Sequence, residues 1–136
     1  MYLLDTNVVS ELRKPKPHGG VTAWLADVAE EDLFLSAMTL GELQAGIERT
    51  RRQDPAKAAA IEAWVDQVAD SHQVLPMDVR AFREWARLME GKPDQLIEDA
   101  MIAATARVHH LTVVTRNLRH FRSFGVPLLN PFAPRR

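Results

Sequence analysis

Cysteine is absent from the 136-residue chain, which excludes disulfide staples, zinc–thiolate centres and thiol nucleophiles and is compatible with a reducing compartment. Any metal must then be held by oxygen or imidazole. Long apolar runs are missing too: no stretch reaches the roughly 20 residues that a bilayer-spanning helix needs. The opening Met1-Tyr2-Leu3-Leu4-Asp5 has no basic segment ahead of an apolar one, so no export signal is expected and the expected location is cytoplasmic. An excess of one charge is also lacking, since 17 basic residues offset 18 acidic ones for a formal net charge of -1. Bulk charge therefore predicts no nucleic-acid binding.

What is present is enough apolar material, 46% of the residues, to bury one continuous core, so a single domain over residues 1–136 is expected. Thirteen of the basic residues are arginine. Arg49, Arg51 and Arg52 close one predicted helix, and Arg116, Arg119 and Arg122 follow a predicted strand. Arginine forks match phosphate geometry, although a solvated helix end is the simpler account of each cluster.

Short apolar runs at residues 1–4, Leu33–Ser36 and Thr112–Thr115 read as buried strands, with Gln73–Pro76 and Val126–Leu129 as weaker extended segments. Helical periodicity covers the stretch from Asp5-Thr6-Asn7 to Leu12, then about Gly20–Glu30, Thr39–Arg52, Pro55–Asp70, a stretch capped by Asp78 and running to Glu90, and Asp94–His109. Strands alternating with helices imply right-handed crossovers and a mostly parallel sheet covered on both faces, hence a three-layer α/β/α domain. In such domains the loops after the strand ends converge on one rim, where ligands bind. Asp5, Thr39 with Glu42, and Thr115-Arg116-Asn117 all follow strands.

Asp99 is the least expected residue. It sits in Leu96-Ile97-Glu98-Asp99-Ala100-Met101-Ile102-Ala103-Ala104-Thr105-Ala106, which is apolar nearly all round. At about 100° per residue, Glu98 falls beside Thr105 and His109 on the polar side, whereas Asp99 shares a face with Ile102, Ala103 and Ala106. A carboxylate there needs a cation, an arginine or lysine partner, or hydrogen-bond donors. Glu42 has a plainer reading, because Thr39-x-x-Glu42 is a capping-box pattern and the glutamate lies opposite the Leu40, Leu43, Ile47 stripe. Asp5 suits a helix N-cap as well as a site. Pressed together, the three acids would repel one another unless a hard divalent cation such as Mg²⁺ or Mn²⁺ neutralised them.

Leu3-Leu4-Asp5-Thr6-Asn7, Thr39-x-Gly41-Glu42-Leu43, Asp99-Ala100-Met101-Ile102-Ala103-Ala104-Thr105-Ala106 and Val114-Thr115-Arg116-Asn117, in this order and spacing, resemble the PIN-domain ribonucleases. The likeness spans essentially the whole chain and is nearest to VapC-type toxins of the FitB-like branch. It implies a PIN-like α/β/α domain and a magnesium-dependent endoribonuclease in which Asp5, Glu42 and Asp99 hold the metal. It further implies that Asn117 supports the cluster by hydrogen bonding, with Thr6 and Thr115 as further supports. The implied partners are an RNA substrate, a cognate antitoxin lying in an apolar groove that blocks the site, and a second copy in a homodimer. Many relatives carry a fourth acid where this chain has His120, read here as an ordinary loop histidine. Trp24, Trp64 and Trp85 are read as core. Two rivals remain, a non-catalytic RNA- or protein-binding module and a haloacid-dehalogenase-like phosphatase, the latter expecting a second acid at position 7.

Overall fold

The computed structural model describes residues 1–134. Its strands are β1 (Tyr2–Leu4), β2 (Leu33–Ser36), β3 (Gln73–Leu75), β4 (Thr112–Val114) and β5 (Leu128–Leu129). Its helices are α1 (Thr6–Glu11), α2 (Gly19–Ala26), α3 (Ala37–Arg51), α4 (Pro55–Ser71), α5 (Val79–Met89), α6 (Ile97–His109) and α7 (Leu118–Phe121). The strands form one sheet in the order β3-β2-β1-β4-β5. Every pairing is parallel, including both edge strands. The helical crossovers between successive strands are long enough to make this possible.

Side-chain alternation sorts the sheet into two faces. Leu3 is in register with Phe34 and Val113, and these pack with Ala100, Ile102, Ala103 and Ala106 of α6, Trp85 of α5 and Phe121 of α7. One residue on, Leu4, Leu35 and Val114 face the other way, against Val8 and Val9 of α1, Val21 and Trp24 of α2, and Val68 of α4. Leu3 and Leu4 are almost wholly buried, and each contributes roughly 1.5–3 kcal/mol by leaving water. The helical pair α3 and α4 adds a satellite core of Ile47, Ala58 and Val65. The result is three layers, α/β/α.

Several boundaries differ from the sequence reading for local reasons. Helix α2 stops at Ala26, and Glu30–Asp32 form a separate 3-10 turn, because acidic residues at a helix C-terminus oppose its dipole. Helix α3 begins at Ala37, with the Ser36 hydroxyl accepting from the Met38 N–H. Residues Asp94–Leu96 form a 3-10 turn ahead of α6. Thr105, placed on a polar side by periodicity, is fully buried, and its hydroxyl donates to the Met101 carbonyl. Helix α7 was not expected at all. Phe121 and, in the following 3-10 turn, Phe124 are buried edge-to-face under α6, with centroids 6.2 Å apart.

The chain steps outward from β1 to β2 and β3, then crosses back over β1 to β4 and β5. The winding therefore reverses between β1 and β4. A crevice opens at the carboxyl ends of strands where this happens, and Asp5 and Thr115 are the residues immediately beyond β1 and β4.

Candidate active site at the reversal of the sheet

The Asp5 N–H donates to the Val114 carbonyl at 2.9 Å, which fixes its Cα at the mouth of the crevice. Its side chain is 4% exposed and uses both oxygens. Oδ1 accepts from the Thr6 N–H at 2.8 Å and caps α1. Oδ2 accepts from the Thr115 hydroxyl at 2.7 Å and from the Asn7 amide at 3.1 Å. The cap and the rim position are therefore served by different atoms of one carboxylate.

Glu42 lies on α3, half-buried. Since Ser36 is the helix cap, Thr39 falls inside the first turn and the capping-box reading fails. Glu42 Oε1 instead accepts from the Thr6 hydroxyl at 2.9 Å, and the Thr39 hydroxyl lies 3.1 Å from that of Thr6. The apparent solvent-facing position of Glu42 on its own helix is covered by α1.

Asp99 sits near the start of α6, and its side chain is 20% exposed. Its partner is neither arginine nor lysine but His120, whose Nδ1 lies 3.0 Å from Oδ2. His120 belongs to α7 and is not the free loop residue the sequence suggested. Asn117 enters through its backbone, its N–H donating to the Thr115 hydroxyl at 2.9 Å. Its amide makes no hydrogen bond among the described residues. The amide beside Asp5 is that of Asn7, whose Oδ1 also accepts from the Arg116 N–H at 3.2 Å. The sequence offers Asn7 as a cap-type residue and as part of the Leu3–Asn7 motif, with no sign of its bond to Asp5. The tryptophans are spread through the core: Trp24 is edge-on to Tyr2, Trp64 packs under α3, and Trp85 donates to the Ile97 carbonyl.

All three carboxyls are pushed above their ordinary range, chiefly by burial. For Asp5, bonds from Thr115, Thr6 and Asn7 oppose the rise and the charge of Asp99 adds to it. For Glu42, the Thr6 bond opposes, while Asp5, Asp99 and Glu98 add to the rise. For Asp99, His120 opposes and Glu98 adds to the rise. Asp5 just beyond β1 and Glu42 of α3 thus both feel the charge of Asp99 on α6, and every first-choice donor is an oxygen. That chemistry fits a hard divalent cation. Among the described residues no three His, Asp or Glu side chains are gathered as a closed ligand group.

A parallel α/β/α sheet with carboxylates from separate stretches meeting where its winding reverses has the plan of an α/β enzyme with an acidic centre. The family is defined by the sequence as well: the PIN domain model matches residues 2–126, and the chain belongs to the PIN domain family. It is 37% identical to the VapC ribonuclease Y4jK of Sinorhizobium fredii, over 98% of this chain and 99% of that protein. It is 32% identical to Toxin FitB of Neisseria gonorrhoeae, over 97% and 99% of the two chains. The crystal structure of FitAcB from Neisseria gonorrhoeae superposes with a TM-score of 0.84 at 34% identity, covering 97% of this chain and 99% of that one. At position 7, where a dehalogenase-like phosphatase needs an acid, Asn7 instead donates to Asp5.

Proposed function

We propose that the chain is a divalent-metal-dependent endoribonuclease, the toxin of a toxin–antitoxin pair, working in the cytoplasm as one PIN unit over residues 1–136. The observation that carries this reading is that Thr6 ties two buried or half-buried acids together, its N–H to Asp5 and its hydroxyl to Glu42, and that the Asp99 charge reaches both. These three would hold Mg²⁺, with Mn²⁺ as an alternative. The bound cation supplies an acidified water and shields the phosphate. Around it the protein's own groups set the ligands: Thr115 and Asn7 orient Asp5, Thr6 orients Glu42, and His120 orients Asp99. Asn117 supports the cluster by fixing the Thr115 hydroxyl.

A groove of about 530 Å³ between α1, α3 and α4 has an apolar floor of Met38, Leu43, Ile47, Ile61 and Trp64, a polar rim that includes Arg13, Arg49 and Glu98, and reaches Glu42. An antitoxin helix seated on that apolar floor would cover the acids. Val79 and Phe82 on α5 are 74% and 46% exposed, apolar surface that a second copy would cover in a homodimer. The direct test is cleavage of RNA by the purified protein with and without Mg²⁺, beside Asp99→Asn. Cleavage that needs Mg²⁺ and is lost in the variant is expected; equal cleavage by both proteins would sink the assignment.

A further inference from the structure

Arg116, Asn117, Leu118, Arg119, His120 and Arg122 line a cavity of about 420 Å³ next to the acidic rim, and His120 joins the two through its bond to Asp99. Three of the arginines elsewhere are occupied: Arg51 pairs with Glu48 and Glu62, and Arg87 and Arg107 pair with Glu84. Arg119 and Arg122 are exposed and have no carboxylate within ion-pair distance among the described residues. Arg116 is held flat, its guanidinium 4.3 Å from the Phe132 ring centroid, with its backbone N–H tied to Asn7. Its charge is also felt by Glu11, whose carboxyl is held down mainly by Lys14.

A polyanion approaching three carboxylates meets repulsion, and a net charge of -1 gives no general attraction to offset it. Unpaired cations directly beside the acids supply that attraction locally. Guanidinium forks grip phosphate oxygens two at a time.

We infer that Arg119 and Arg122, with Arg116 stacked behind them, form a subsite for the phosphodiester backbone of a single-stranded nucleic acid, gripping phosphates adjacent to the one presented to the carboxylates. The inference rests on the nuclease reading and names where its substrate lies. Among the described residues Leu118 is the only aliphatic side chain in the lining, too little apolar surface for a peptide anchor. The contacts are to phosphate and not to bases, so the subsite takes any sequence.

The test is binding of a labelled single-stranded RNA, followed by anisotropy in EDTA across a salt series, for the intact protein and for Arg119→Ala/Arg122→Ala. Each phosphate contact on a single strand contributes about 0.7 to the salt slope, so the double variant should bind roughly tenfold more weakly near 0.1 M salt with a slope smaller by about 1.4. Arg119→Lys/Arg122→Lys should recover most of the slope. Single-stranded DNA of the same sequence should lose affinity in parallel. Unchanged affinity and slope in the alanine variant would overturn the subsite, as would a loss confined to RNA, which would reassign the arginines to the 2′-hydroxyl. Because no divalent ion is present, the outcome is separate from cleavage: weakened binding beside absent Mg²⁺-dependent cleavage would overturn the nuclease reading and uphold the subsite.

Discussion

Nδ1 of His120 lies 3.0 Å from Oδ2 of Asp99, joining α7 to α6 across the rim. The imidazole is the main influence holding the Asp99 carboxyl down against burial and the Glu98 charge. Removing it leaves only the influences that raise the carboxyl. In His120→Ala the acid limb of the cleavage pH profile should therefore move to higher pH, because Asp99 must be ionised to serve as a ligand. Rates measured from about pH 5 to pH 9 would show it. A uniform loss of rate with the limb unmoved would mean that His120 acts on something other than Asp99.

Glu42→Gln should raise the melting temperature of the metal-free protein near neutral pH. The Glu42 carboxyl is raised by burial first and then by Asp5, Asp99 and Glu98. A carboxyl raised in the folded state favours folding while protonated: its contribution is complete below the unfolded value and is lost as pH rises through the folded one. Glutamine keeps an oxygen for the Thr6 hydroxyl and removes the repelled charge. The gain should be about 0.5–1 kcal/mol, roughly 2–4 °C for a domain of this size. It should vanish near about pH 3, where Glu42 is protonated in both states. Mg²⁺ should then stabilise the wild type more than the variant. Melting curves in EDTA and in Mg²⁺ at the two pH values check all three statements.

The two halves of the site were unequally legible in the sequence. The central strands could be read because a parallel strand covered on both faces must be apolar throughout, as Leu3-Leu4 and Val113-Val114 are. Asp99 could be read because a charge among alanines and isoleucine has no solvated side to turn to. Periodicity could not place Glu42, which enters through its position after a strand and the motif resemblance, since what covers it is Thr6, 36 residues away. Nor could it place the Asn7 contact with Thr115, which spans 108 residues. Helix α7 left a fainter trace: Leu118, Phe121 and Phe124 recur every third residue, but Arg119, His120 and Arg122 between them look like a solvated loop. Only the burial of both phenylalanines under α6 decides it. Local periodicity reports what one element buries, and a site assembled from several elements depends on what each covers of the others.

Thr115→Val is the sharpest test of how the Asp5 carboxylate is supported. The hydroxyl is wholly buried, donates to Asp5 Oδ2 at 2.7 Å and accepts the Asn117 N–H at 2.9 Å. Valine has nearly the same shape, so packing is preserved while these two hydrogen bonds and the longer one from the Asn7 amide at 3.4 Å are lost. The charged oxygen keeps only the Asn7 amide, and the Asn117 N–H loses its acceptor. Leaving such groups unpaired costs about 1–3 kcal/mol, read as a lower urea midpoint at unchanged slope. The Thr115 bond is also the largest influence opposing the rise of the Asp5 carboxyl, so the variant should need a higher pH to reach its full cleavage rate. Thr115→Ser, which keeps the hydroxyl, should restore both the acid limb and most of the midpoint. If the valine variant unfolds and cleaves like the wild type, Asp5 is held in place by Thr6 and Asn7, and the network from β4 has no part in setting the site.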